Sequence, residues 1–138
     1  LMISTGMSNE EEIEHAVTIS NPDLIFHTNS AYPSPIEDLN LNYIDWLKEK
    51  YPEREIGYSG HEFGLITTYA SVVKGATWVE RHITLERTMW GSDHMASVEP
   101  HGLIKLVKDI KNIESSMGTK SPRKVFGSEL EKRETLRG

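Results

Sequence analysis

Cysteine is absent from the 138 residues of the chain. Its absence excludes a disulfide framework, a thiolate zinc site and a cysteine nucleophile, so any metal has to be held by histidine and carboxylate groups. Long hydrophobic runs are missing too. Nothing approaches the roughly eighteen apolar residues that cross a bilayer, and no basic segment followed by an apolar stretch opens the chain. These features read as a soluble cytoplasmic protein without a membrane partner. Positive charge is in deficit, with 15 Lys and Arg against 21 Asp and Glu and a net charge of −6. The acidic excess is spread along the chain, which argues against a nucleic-acid partner and leaves any anionic substrate in need of a local positive site.

What is present suffices for one domain, since 37% hydrophobic residues over this length support one core and not two. The chain enters directly into the apolar run 1–4, as if an earlier part of a domain preceded it. Thr5-Gly6 is a turn, and Ser8 stands three residues before Glu11, a spacing that predicts a capping box and a helix to about Val17. Asn21-Pro22 breaks the chain before a second apolar run at 24–28. A loop with Pro33 and Pro35 leads to a helix over 41–50, with Tyr43, Ile44 and Leu47 on one face. A third strand is predicted at 55–59. The helix after it, over 64–74, is expected to pack Leu65, Ile66, Tyr69, Val72 and Val73. The fourth strand, 78–84, should bury its first half and turn polar at Glu80-Arg81-His82. A long loop follows, then a helix over 100–117 carrying Leu103, Leu106, Val107, Ile110 and Ile113, with proline in its first turn.

The order β-α-β-α-β-α-β-α repeats one unit four times, and right-handed crossovers make the strands parallel. A complete barrel of such units takes about 250 residues. The predicted fold is therefore α/β, a parallel (βα)4 half of a TIM (β/α)8 barrel over residues 1–117. Residues 118–138 read as a tail or the start of a linker. Half a barrel leaves two open sheet edges and an uncovered inner face, so self-association or pairing with a missing N-terminal half is expected.

In parallel α/β folds, ligands bind beyond the carboxyl ends of the strands. Those ends are Ser4, residues 28–30, residues 59–61 and residues 80–82. His61 and His82 follow successive strands, and neutral imidazole is a common ligand for divalent transition metals. The twenty-one residues between them form no local motif, so two unrelated histidines remain the competing reading. Glu80 and Arg81 are either a structural pair or groups that orient the histidine. Asp93 and His94 reach over the mouth as a lid or are solvated loop residues. Tyr32 walls a pocket or packs under its loop. His27 reads as a core histidine, and His15 and His101 as surface residues.

Five segments taken together carry a resemblance: Ser4-Thr5-Gly6-Met7, Ser30-Ala31-Tyr32-Pro33, Ile56-Gly57-Tyr58-Ser59-Gly60-His61-Glu62, Glu80-Arg81-His82-Ile83-Thr84 and Gly91-Ser92-Asp93-His94. In this order they resemble the second half of the catalytic barrel of the sialic acid synthases. The resemblance implies condensation of phosphoenolpyruvate with an N-acylated aldose such as N-acetylmannosamine, giving a nine-carbon 2-keto sugar acid and inorganic phosphate. It implies a divalent cofactor, Mn2+ or Mg2+, on His61 and His82. It places Ser4 and Ser30 near phosphoenolpyruvate, Ser59 beside metal and substrates, and Tyr32 and Asp93 against the amino sugar. Two positions depart from the family pattern: Ser30 stands where many members have Asn, and Asn29 where Thr is frequent. The lysines and carboxylate that the family draws from its first four strands have no counterpart here, so a partial catalytic domain inactive alone is expected. The alternative is a non-catalytic half-barrel that serves as a sugar-binding or assembly module.

Overall fold

Each of the four apolar runs forms a strand, and the punctuation between them sets where the helices begin. The computed structural model describes residues 1–137. Its elements in chain order are β1 (Met2–Ser4), α1 (Glu10–Ser20), β2 (Leu24–Thr28), α2 (Tyr43–Lys50), β3 (Glu55–Gly60), α3 (Ile66–Val73), β4 (Trp78–Arg81), α4 (Pro100–Met117) and α5 (Leu130–Arg137). The strands make one sheet in the order β1-β2-β3-β4, and every neighbouring pair is parallel.

Register sorts the side chains into two faces, because successive strand residues point to opposite sides. Ile25 lies beside Ile56 and His27 beside Tyr58. These residues meet Ile13 and Val17 of α1 and Ile44 and Leu47 of α2, and the buried cluster they form is the core between sheet and helices. The opposite face carries Phe26 beside Gly57 and Trp78, then Thr28 beside Ser59 and Glu80. Gly57 is required there: a Cβ would lie 2.6 Å from the Phe26 ring, which crosses directly over it.

Several details depart from the sequence-based expectation. Helix α1 is capped by Asn9 and Glu12, one residue later than the predicted Ser8–Glu11 box. Met7 takes a positive φ of 61° and the Ser8 hydroxyl turns back to the Gly6 carbonyl at 3.3 Å, so the first helical turn starts after them. Helix α3 buries Thr67, Thr68 and Ser71, while Ile66 and Val73 are exposed. A buried carboxylate beneath this helix takes the Thr67 and Thr68 hydroxyls, as described below, and Ser71 donates to the Thr68 carbonyl at 2.7 Å. Trp78, expected to be buried, is 53% exposed. It points to the sheet face that no helix covers, on a strand at the edge of the sheet.

Strand β4 ends at Arg81, short of the predicted Thr84. A single bridge between Ile83 and Val98 extends it, with Val98 N–H donating to the His82 carbonyl at 2.8 Å. Helix α4 packs on α3, and Tyr69 donates to Asp109 at 2.8 Å across that contact. Burial and the adjacent Asp109 carboxylate raise the Tyr69 phenol to about 12. Of the apolar residues predicted to pack, only Leu106 is buried, and Leu103 and Val107 face away from the sheet. Helix α5 has no buried residues. Among the described residues, no helix is long and apolar enough to cross a membrane.

Candidate metal and substrate site

The alternation of side chains continues one residue past the ends of β3 and β4. Ser59, His61, Glu80 and His82 fall on the uncovered face, and Tyr58, Gly60, Glu62 and Arg81 fall on the helix side. The polar residues at these two strand ends thus separate into two layers, one on each face of the sheet.

On the open side the two imidazoles meet. Their ring centroids are 5.1 Å apart with the planes at 75°. His61 Nδ1 is 2.8 Å from the carbonyl oxygen of Asn29. A carbonyl only accepts, so Nδ1 must carry the proton, and the lone pair of the neutral ring is on Nε2. His82 Nδ1 is 3.6 Å from Asp93 Oδ2, beyond hydrogen-bond range and within electrostatic reach. The ring of Tyr32 lies against both, 4.5 Å from His82 and 5.3 Å from His61. The peptide between Tyr32 and Pro33 is cis. Ser59, buried beside them, donates to Glu80 at 2.7 Å.

On the helix side Glu62 is fully buried and paired with Arg81 at 2.8 Å, their side chains 0% and 3% exposed. A buried charge has to be paired and hydrogen-bonded, and the carboxylate meets that demand in full, while Arg81 Nε is buried without a partner. Glu62 accepts from the hydroxyls of Tyr58, Thr67 and Thr68 as well as from Arg81. Burial and the Glu62 carboxylate together hold the Tyr58 phenol protonated far above its ordinary range. The Arg81 guanidinium also donates to the carbonyls of Glu62 and Gly64, at 2.6 and 2.9 Å. Arg81 therefore pairs with Glu62 and not with its neighbour Glu80, whose partner is Ser59.

The remaining candidates are distributed around this centre. Ser4 ends β1 and is exposed. Ser30 lines a cavity of about 490 Å3 with Thr5, Asn9, His27 and Tyr43, a space that neither His61 nor His82 borders. Asp93 is held over the mouth by its main chain, since its carbonyl accepts from Tyr32 at 2.9 Å. His94 is turned away, with Nδ1 2.7 Å from the Thr84 hydroxyl. His27 is buried, with Nε2 donating to the Leu39 carbonyl at 2.7 Å, and burial lowers its pKa below the usual imidazole value of 6.5.

The donor set fits a divalent ion. Two imidazoles approach each other, and one of them has Nδ1 held by a carbonyl, the usual arrangement behind a metal-bound histidine. Among the described residues, no group of three or more His, Cys, Asp or Glu is arranged to hold an ion. The protein side chains available to an ion here are therefore the two imidazoles alone. Sequence reasoning passed over Glu62, although Glu follows one histidine of the pair and Arg precedes the other.

Known proteins share this arrangement of elements. A crystal structure of N-acetylneuraminic acid (sialic acid) synthetase from Leptospira borgpetersenii superposes with a TM-score of 0.83 at 37% identity, covering 99% of this chain and 50% of that one. Human N-acetylneuraminate-9-phosphate synthase is 41% identical over 123 residues, 86% of this chain and 34% of its own. An N,N'-diacetyllegionaminic acid synthase from Campylobacter jejuni is 35% identical over 125 residues, 86% of this chain and 37% of its own. The chain thus spans about a third of the length of the curated relatives it matches. The family pattern itself runs through residues 1–122, from β1 to the end of α4 and the five residues beyond, and by that match the chain belongs to the NeuB family.

Proposed function

We propose that the chain is the metal-bearing (βα)4 half of a TIM-barrel synthase domain that condenses phosphoenolpyruvate with an N-acylated aldose to give a sialic-type 2-keto sugar acid. The observation that carries the proposal is the pairing of His61 and His82, with the His61 tautomer set by Asn29. The reaction joins C3 of phosphoenolpyruvate to the aldehyde carbon, adds water at C2 and releases inorganic phosphate with cleavage of the C–O bond.

The residues divide the work. His61 and His82 would hold Mn2+ or Mg2+, which when bound supplies Lewis-acid polarisation of the aldehyde oxygen. Tyr32, flat against His82, walls one side of the sugar site, and the Asp93 carboxylate beside it accepts from sugar hydroxyls. Ser59 is aligned by Glu80 and presents its hydroxyl oxygen to the open face, while Ser4 and Ser30 lie at the preceding strand ends, on the phosphoenolpyruvate side. The cations that neutralise phosphate and carboxylate come from a second half of the barrel, and the chain alone is inactive.

Calorimetric titration with MnCl2 tests the site: the chain should bind the ion and His82→Ala should not, and equal binding by both overturns it. Phosphoenolpyruvate-dependent phosphate release, restored by adding the N-terminal half of a family relative, tests the reaction. A closed dimer in light scattering with no turnover under that addition favours the non-catalytic assembly module instead.

A further inference from the structure

The Glu62–Arg81 pair is not needed simply to fill space between sheet and helix, because apolar side chains of similar volume pack such a position as stably. Its distinguishing property is direction. Glu62 follows His61 in the chain and Arg81 precedes His82, so the ion pair joins the backbone immediately behind one imidazole to the backbone immediately behind the other. The guanidinium reaches past the carboxylate as well, donating to the main-chain carbonyls of Glu62 and Gly64. Three hydroxyls, from Tyr58, Thr67 and Thr68, leave the carboxylate one orientation. Gly60 keeps the space open: a Cβ there would lie 2.9 Å from Glu62 Oε2 and 3.1 Å from Arg81 Cδ.

A second, separate tie holds each histidine. The His61 carbonyl accepts from Ser34 N–H at 3.2 Å, and the His82 carbonyl from Val98 N–H at 2.8 Å. Each imidazole therefore stands on main chain held by a loop as well as by the buried pair. We infer that Glu62 and Arg81 are positioning residues: they fix the separation and mutual angle of His61 and His82 and so set the metal affinity of the site. The effect on affinity rests on the metal reading given above, whereas the effect on ring geometry stands without it.

The test has one readout for each part. In the metal-free chain with labelled histidine and tyrosine, NMR cross-peaks should connect the rings of His61, Tyr32 and His82. Glu62→Gln should lose or weaken them while keeping the circular dichroism of the parent, and should bind Mn2+ about ten- to hundredfold more weakly, the usual loss when a group orienting a metal ligand is removed. Leu47→Ala, a cavity in the core beneath α2, is the control: it should lower the melting temperature and leave the ring cross-peaks in place. Glu62→Gln with cross-peaks intact and Mn2+ affinity within twofold of the parent overturns the inference. If Glu62→Gln does not fold, the double variant Glu62→Met with Arg81→Met supplies an apolar pair, and cross-peaks retained in it overturn the inference equally. A parent chain that binds no Mn2+ ends the metal reading, and the cross-peaks still decide the positioning role.

Discussion

Tyr32 stacks on His82 with ring centroids 4.5 Å apart and 28° between the planes, and its hydroxyl donates to the Asp93 carbonyl at 2.9 Å. The loop after β2 thereby contacts both a histidine of the pair and the segment from Asp93 to Ser97. The same hydroxyl lies 3.0 Å from Ser97 Oγ, so one phenol secures two points of that segment.

Tyr32→Phe should separate these functions. The ring stack survives, while the loss of the hydroxyl removes bonds worth about 0.5–1.5 kcal/mol each. Amide hydrogen exchange across residues 89–97 should accelerate, with Mn2+ affinity changed less than threefold in the same calorimetric titration, whereas Tyr32→Ala should disturb both.

Arg81→Met leaves Glu62 buried without its cation. Breaking one side of such a pair costs about 3–5 kcal/mol, which urea denaturation should register as a large drop in midpoint. Adding Glu62→Met to that variant should recover more than half of the loss. A double variant no more stable than Arg81→Met would show that the cost lay in packing and not in the unpaired charge.

Gly60→Ala should destabilise by about 1–3 kcal/mol, the usual range for overpacking a close-packed site, because its Cβ would meet Tyr58, Glu62 and Arg81 at 2.8, 2.9 and 3.1 Å. Gly127→Ala has open space around it and should stay within about 0.5 kcal/mol of the parent. Thermal melts of the two variants side by side make the comparison.

His27 gives the stability curve an acid limb. Burial lowers its folded pKa below 6.5, so below that pH the unfolded chain takes up a proton that the folded chain still refuses. Stability from this group is complete above pH 6.5 and falls as the pH drops toward the folded value, with a slope of at most about 1.4 kcal/mol per pH unit. His27→Gln should flatten that limb in urea titrations between pH 7 and 5.

The strands and their polar endings were legible because a run such as Leu24-Ile25-Phe26 has one plausible fate in an α/β chain, and the pairing of His61 with His82 follows from placing two such endings side by side. The face of α3 was not. Ile66 and Val73 look like packing residues by pattern, yet the face turned inward is Thr67, Thr68 and Ser71: a carboxylate at Glu62, outside the helix, takes the first two hydroxyls, and Ser71 turns back to the Thr68 carbonyl. Its cation is 19 residues away on another strand, and no local spacing signals it. The burial of Trp78 failed for a related reason: strand pattern says which residues share a face but not whether anything covers that face. The α1 cap was off by one residue because Ser8–Glu11 and Asn9–Glu12 satisfy the same spacing, and the backbone turn at Met7 decides between them.

Both imidazoles, the buried ion pair and the hydroxyls that enclose it all come from β3 and the two residues after it, α3, and β4 and the residue after it. This one βαβ stretch is a cassette: its internal geometry is written in contiguous chain, with the loops from β2 and before α4 bracing it from outside. Under the proposed function, the loops after β1 and β2 can be varied to change what is recognised while the cassette is kept whole. Splitting it between two chains, by contrast, would separate strands whose side chains meet in one ion pair and one imidazole pair.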